Sequence, residues 1–230
     1  MTSTLLSLAA ALTASALAAP AAGATPQNDR PAGASAAGIP TGRIPTGWEK
    51  VNGDDLAHLT GASDRQQTPT ASGRSASAQA DETSKLAVKS VRNGRFTSTE
   101  VKYAAPNTGV LRARSVNVTG AWEGFAFEWH EASQTYALKS LANNLYVAVE
   151  KNFTGNSKNV LRARSTTAGG WERFELYQNT DLNLYALRST LNDLFVAMEN
   201  SYTGSLQYAL RARSADVTGS WEQFDLYSIG

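Results

Sequence analysis

The chain of 230 residues contains no cysteine, which excludes disulfides, a thiolate nucleophile and any Cys-based zinc or iron–sulfur site. Histidine is almost as scarce: His58 and His130 are far apart and stand outside any metal-binding or catalytic motif. An excess of one charge sign is also missing, with 21 Lys and Arg against 20 Asp and Glu. That balance gives no electrostatic footprint for nucleic acid or for an anionic membrane surface. No Gly-x-Ser-x-Gly, His-Glu-x-x-His, phosphate loop or dinucleotide fingerprint occurs. No catalytic residue, metal site or cofactor is therefore expected. A carboxylate pair for glycoside hydrolysis needs two groups with separated roles, whereas the acidic residues that stand out here are repeated.

The one long apolar run, Leu5 to Ala19, is short for a membrane span and is followed by Ala22-Gly23-Ala24, the small-x-small pattern of a signal-peptidase site. Residues 1–24 thus read as an export signal, although Met1 to Thr4 lack the usual basic residue. A secreted protein that is not inserted in the membrane after signal removal is expected. Residues 25–82 are rich in Ala, Gly, Pro, Ser and Thr and read as a disordered linker arm, because they cannot bury enough apolar surface to offset the entropy of ordering. Within the arm, Trp48-Glu49-Lys50-Val51 with Leu56 and Leu59 is an apolar patch that either docks on the following domain or forms a local turn. The tandem Ile39-Pro-Thr-Gly and Ile44-Pro-Thr-Gly reads as a spacer.

What the rest of the chain has is repetition. Leu-Arg-Ala-Arg-Ser, a Gly-containing turn and Trp-Glu-x-Phe recur from Leu111, Leu161 and Leu210, with a period of about 50 residues that marks a repeat architecture. Each copy reads as two hairpins. In the second copy these are Tyr136 to Ser140 with Leu145 to Glu150 about Asn143-Asn144, then Val160 to Ser165 with Trp171 to Tyr177 about Ala168-Gly169-Gly170. The third copy uses Tyr185 to Ser189, Leu194 to Glu199, Ala209 to Ser214 and Trp221 to Tyr227. The first uses Leu86 to Ser90, Arg95 to Glu100, Val110 to Ser115 and the stretch from Trp122 onward.

Period-two alternation assigns the faces. The rows Leu111-Ala113, Leu161-Ala163 and Leu210-Ala212, with Phe125-Phe127, Phe174-Leu176 and Phe224-Leu226, are expected in the core. In the second strands, Phe96, Tyr146 and Phe195 with Ser98, Ala148 and Ala197 are expected to join them. The opposite face carries Val147 and Val149, or Val196 and Met198, and must be covered as well or form an exposed apolar patch. Twelve short strands in three equal units suit an all-β fold, a β-trefoil, better than a three-bladed propeller. The domain is expected over residues 83–230, with repeats at about 83–132, 133–181 and 182–230.

The recurring Ala-Leu-(Lys/Arg)-Ser, Asn-x-(Leu/Arg)-(Tyr/Phe)-Val-Ala-x-Glu, Leu-x-Ala-Arg-Ser and Gly-x-Trp-Glu-x-Phe resemble the fascin-like β-trefoil repeat of the actin-crosslinking-like superfamily over Lys85 to about Tyr227. Repeat one departs from it at Phe96-Thr97-Ser98-Thr99. The resemblance implies either actin bundling, as in animal fascins, or carbohydrate binding, as in secreted bacterial proteins. The export signal favours a secreted, non-catalytic, lectin-like monomer whose partner is a polysaccharide or glycan. The alternative is a protein-interaction module, filament-crosslinking or hydrolase-inhibiting. One fold hosts many functions, so the site must decide.

Two sets of residues are candidates. The loop after the second strand carries Glu100 and Tyr103, then Glu150, Asn152 and Phe153, then Glu199, Ser201 and Tyr202. An aromatic face packs on the C–H side of a pyranose while a carboxylate and an amide take its hydroxyls. The other reading has these aromatics plugging the hairpin layer and the glutamates bonding backbone amides at the barrel rim. The second set is the arginine pairs Arg112/Arg114, Arg162/Arg164 and Arg211/Arg213. They are expected to pair with Glu123, Glu172 and Glu222, the other reading being an anionic ligand such as sulfate, a carboxylate or an acidic protein surface.

Overall fold

A computed structural model describes residues 44–59 and 83–230; the expected signal peptide and the remainder of the arm lie outside the described residues. The chain forms β1 (Glu49–Val51), α1 (Gly53–Leu59), β2 (Thr83–Ser90), β3 (Arg95–Glu100), β4 (Val110–Ser115), β5 (Gly124–His130) and β6 (Thr135–Ser140). It continues as β7 (Tyr146–Val149), β8 (Leu161–Ser165), β9 (Arg173–Asn179), β10 (Leu184–Ser189), β11 (Phe195–Met198), β12 (Leu210–Ser214) and β13 (Phe224–Ser228). All twelve strands expected from the repeats are present. The strands β2, β5, β6, β9, β10 and β13 pair antiparallel in a closed ring. The hairpins β3–β4, β7–β8 and β11–β12 cap it, and the fold is a β-trefoil.

The cap hairpins owe their shape to local chemistry. The side-chain amides of Asn93, Asn143 and Asn192 donate to the carbonyls of Ala113, Ala163 and Ala212 at 2.8, 2.9 and 3.0 Å. Each asparagine oxygen also accepts the amide two residues on. The next residues, Gly94, Asn144 and Asp193, take φ of 65°, 58° and 57°, a conformation that Gly, Asn and Asp adopt most readily. The three hairpins meet through Val110↔Arg162, Arg112↔Ala209 and Val160↔Arg211, and bury Val110, Val160 and Ala209 together.

The Leu-Ala rows of the third strands and the Phe rows of the fourth lie in the core as expected, with Leu226 only partly buried. The second strands differ. Their core-facing residues are Val147 and Val149, or Val196 and Met198, while Phe96 and Tyr146 are half-buried and Phe195 joins a separate cluster. Pairing fixes this: Thr97 and Thr99 lie opposite Ala113 and Leu111, and partners in a ladder share a face. The other face is covered too: Ser98, Ala148 and Ala197 are buried.

Repeat one accordingly places Thr97 and Thr99 in the core. The Thr99 hydroxyl bonds that of Ser140 at 2.8 Å, whereas the buried hydroxyl of Thr97 finds no protein partner. A buried unpaired hydroxyl costs about 1–3 kcal/mol. Thr97→Val, which restores the residue of the other two repeats, is expected to raise unfolding stability by about 1 kcal/mol in chemical denaturation.

Residues 44–59 do not form part of a free linker, which corrects the reading of 25–82 as one arm. The strand β1 pairs with β9, Lys50 opposite Tyr177 and Val51 opposite Leu176. Trp48 is buried with Tyr177, Ala186 and Phe195, while Val51 and Leu56 enter the main core. Gly53 lies against Trp129 so closely that a Cβ would stand 2.7 Å from two ring carbons. The Tyr136 hydroxyl donates to the Asn52 carbonyl. The contact is closed by Glu175, which binds Lys50 at 2.9 Å and accepts from Tyr177 at 2.7 Å and Arg188 at 3.2 Å.

Burial pushes the Glu175 carboxyl up, but the bonds from Lys50 and Tyr177 and the charge of Arg188 outweigh it and hold the group below the usual glutamate range. A lowered carboxylate contributes stability that is complete above the ordinary glutamate value and is lost as pH falls through the lowered one. Acidification below about pH 4 should therefore lower the amide-exchange protection factors of β1 before those of the barrel strands, and Glu175→Gln should remove that pH dependence.

Candidate functional site

Each second strand ends at or runs into a glutamate that the fold buries: Glu100, Glu150 and Glu199 are 3%, 3% and 2% exposed. Each neighbouring third strand delivers two arginines. The second of them, Arg114, Arg164 or Arg213, is the extra residue of a β-bulge, since Phe96 faces Ser115 and Thr97 faces Ala113 in the first ladder, with the same skip in the others. Both arginines of a repeat converge on its glutamate. Glu100 takes Arg114 through Nε and, at 3.0 Å, through Nη2, with Arg112 at 3.8 Å. Glu150 takes Arg162 at 3.1 Å together with Arg164. Glu199 takes Arg211 at 3.2 Å and Arg213 at 2.7 Å.

The expected pairing of these arginines with Glu123, Glu172 and Glu222 is thus incorrect, and so is the reading in which Glu100, Glu150 and Glu199 bond backbone amides. Glu123 and Glu222 instead accept from Ser115 and Ser214 at 2.8 and 2.5 Å, and Glu172 from the Gly169 amide at 2.9 Å. They fasten the Gly-containing turn that precedes each fourth strand. A short acidic side chain held three to eight residues from its partners suits a turn, and the longer reach of arginine is used elsewhere.

That reach crosses between repeats. Arg112 Nε donates to the Gln207 carbonyl at 2.6 Å, Arg162 Nε to Thr108 at 2.9 Å and Arg211 Nε to Lys158 at 2.8 Å. The amides of Ala113, Ala163 and Ala212 reach the adjacent carbonyls of Tyr208, Gly109 and Asn159. Repeat one holds repeat three, repeat two holds repeat one, and repeat three holds repeat two. At Gly109 the approach is so close that a Cβ would meet the Ala163 oxygen at 2.5 Å.

The loop aromatics lie on the same arginines. The guanidinium carbons of Arg112, Arg162 and Arg211 stand 5.6, 5.5 and 5.6 Å from the ring centroids of Tyr103, Phe153 and Tyr202, within cation–π range. Arg112 and Arg211 also donate to the two tyrosine hydroxyls. Burial raises the Glu199 carboxyl, opposed by Arg213 and Arg211, and burial with the Glu199 charge raises the Tyr202 phenol. The Arg114 guanidinium is raised by its bond to Glu100, against burial. Of the expected site residues, then, Glu100, Glu150 and Glu199 are enclosed, Tyr103 and Phe153 are half-buried, Tyr202 is buried, and Asn152 and Ser201 are exposed.

Beside these loops stand residues that the sequence reading treated only as repeat markers. Trp122 is 37% exposed, and Trp171 and Trp221 are partly exposed. The backbone amides of Val149 and Met198 donate to the Trp171 and Trp221 carbonyls, which sets each tryptophan next to the strand that leads into its loop. In repeat one the loop residue Lys102 puts its ammonium 5.1 Å from the Trp122 ring. Asn152 and Ser201 occupy the equivalent positions in the other repeats. Arg164 and Arg92 lie 5.7 and 4.2 Å from the Trp171 and Trp221 rings. The signal available in the sequence was a tryptophan after a glycine turn, three times over, where an aliphatic residue would fill a core. Among the described residues no group of three or more His, Cys, Asp or Glu is placed to hold a metal ion.

The sequence matches no protein-family model and no curated protein. Solved structures do resemble the fold. The designed threefold-symmetric protein ThreeFoil shares 16% identity and a TM-score of 0.50 over 63% of this chain and 99% of its own. A mosquitocidal holotoxin shares 12% and 0.54 over 67% of this chain, which spans 18% of the toxin chain. The Macrolepiota procera ricin B-like lectin in complex with lactose shares 10% and 0.48 over 68% of this chain and 100% of its own. At such identities the likeness is one of fold.

The buried clusters make a quantitative expectation. Removing one partner of a buried ion pair costs about 3–5 kcal/mol, while an exposed partner is worth far less. Glu150→Ala, which leaves Arg162 and Arg164 without their carboxylate, should lower unfolding stability by about 3 kcal/mol. Arg164→Ala, at a side chain 35% exposed, should cost about 1 kcal/mol or less in the same denaturation experiment.

Proposed function

We propose that the protein is a secreted, non-catalytic, lectin-like carbohydrate-binding β-trefoil of the fascin-like kind, which binds a glycan through weak, related subsites at the loops after β7 and β11. The observation that carries this is one of position: Lys102 stands 5.1 Å from the Trp122 ring, and the residues at its place in the other repeats, Asn152 and Ser201, are exposed while Trp171 and Trp221 are partly exposed. An indole face suits the apolar side of a sugar ring, and an amide or hydroxyl suits its hydroxyls. Phe153 and Tyr202, fixed on Arg162 and Arg211, brace the loops. The first repeat differs in carrying a charged residue, Lys102, at the position of Asn152 and Ser201. Two weak subsites on one rigid body raise retention on a polymeric glycan above that of either alone.

Retention of the full chain on insoluble glucans, chitin and xylan, reversed by soluble sugar, is the expected result. Trp171→Ala and Trp221→Ala should each weaken it about tenfold, close to 1.4 kcal/mol, without changing the unfolding midpoint. Retention on no glycan, or retention lost to salt and untouched by sugar, would sink this reading.

A further inference from the structure

The threefold symmetry creates three equivalent edges on the barrel, and they are treated differently. In β5, the stretch Ala126 to Glu128 is paired by the first residues of β2, Thr83 to Lys85. In β9, Leu176 to Gln178 is paired by β1. The two added pieces coincide in register: Thr83 faces Glu128 as Lys50 faces Tyr177, and Ser84 faces Phe127 as Val51 faces Leu176. In β13 the equivalent stretch is Leu226 to Ser228. Its partner on that side, β10, pairs only at Phe224 through Tyr185, and among the described residues no strand covers the rest.

The surface beside that open edge repeats the surface that holds Trp48. At the occupied site the strand pairing sets Glu175 opposite Arg188 and Tyr177 opposite Ala186, with Phe195 5.7 Å from Tyr177 and Arg188 6.0 Å from the Phe195 ring. At the open site Asp225 faces Lys89 and Tyr227 faces Ala87. Phe96 lies 5.5 Å from Tyr227, and Lys89 lies 5.5 and 5.8 Å from the two rings. Carboxylate, cation and two aromatics recur in the same register. The difference is cover: Tyr177 is 2% exposed and Tyr227 is 43% exposed. The third counterpart is closed by its own bond, Tyr146 to Glu128 at 2.7 Å.

We propose that the β13 edge at Leu226 to Ser228 is a peptide-binding site that accepts an extended segment of a protein partner as an added antiparallel strand. The partner's chemistry is that of the segment seated on the equivalent edge: an aromatic residue for the Phe96–Tyr227 pair, then, two residues on, a lysine for Asp225, then an aliphatic residue. Backbone hydrogen bonds hold such a strand, and the two side-chain contacts select it. This site is separate from the sugar-binding loops and does not depend on them.

The test is an anisotropy titration of the full chain against a labelled octapeptide with the sequence of residues 44–51, Ile-Pro-Thr-Gly-Trp-Glu-Lys-Val. Saturable binding is expected, at least tenfold weaker when the peptide's tryptophan is replaced by alanine and when the protein carries Tyr227→Ala, a change at an exposed side chain. Asp225→Lys should weaken the same peptide and favour one with glutamate in place of its lysine. No binding at millimolar peptide overturns the proposal. So does equal binding to the Tyr227→Ala protein, since the peptide would then be exchanging with β1 on β9. Concentration-dependent dimerisation that Tyr227→Ala abolishes also overturns it, by making a second copy the occupant.

Discussion

The structure depends on three buried carboxylates. Glu100, Glu150 and Glu199 lie where hydration is lost, and an isolated carboxylate there would neutralise or unfold the cap. Two guanidinium groups converge on each, and the first of each pair also reaches a carbonyl of another repeat. An electrostatic requirement local to one repeat thereby becomes a mechanical link to the next. The links run in one rotational sense and close after three steps, so the first arginine of each pair satisfies its Nε–H only with the neighbouring repeat in place. This accounts for the faithful recurrence of Leu-Arg-Ala-Arg-Ser. Leucine and alanine are set by the core, and both arginines are set by the glutamate.

Where that requirement is absent, the copies diverge. Lys102, Asn152 and Ser201 occupy one position and differ in charge and size. The three barrel edges are finished by a longer first strand, by a strand from the arm, and by no described strand. A ring of antiparallel strands normally removes free edges. Here the within-repeat pairings of β6 with β9 and of β10 with β13 are short, so the barrel retains partial edges that need covering. The burial of Trp48, Val51 and Leu56 follows from that geometry, since the edge of β9 offers both unpaired backbone and an aromatic surface.

The legible part of the fold was the part set by local rules. Strand positions followed from alternation and from the Asn-containing turns, and threefold recurrence then selected the trefoil. The core face of the second strands was misread because Phe96, Tyr146 and Phe195 are larger than the residues between them, yet register with the Leu-Ala rows decides the face, and register is a long-range property. The arginine partners were misread for a similar reason. Glu123, Glu172 and Glu222 follow the arginines closely in sequence, but the turn draws those carboxylates to Ser115, Gly169 and Ser214. A three-residue strand such as β1 carries no periodic signal. Trp48 and Lys50 were visible as residues, but their partners Phe195 and Glu175 lie more than a hundred positions away.

The enclosed glutamates also constrain how the protein can meet a ligand. A sugar hydroxyl approaching Glu150 would have to displace a guanidinium, and a neutral hydrogen bond contributes about 1 kcal/mol net where the buried ion pair, once broken, costs about 3–5 kcal/mol. The exchange is unfavourable by about 2–4 kcal/mol, so a neutral hydroxyl would not displace the arginines from these carboxylates. Only groups already facing solvent are free to exchange water for ligand at small cost. In the second and third repeats Asn152 and Ser201 are exposed, and Trp171 and Trp221 are partly exposed beside Arg164 and Arg92. The clusters thus fix the positions of the loops and leave Lys102, Asn152 and Ser201, which no repeat-wide requirement holds constant, facing solvent.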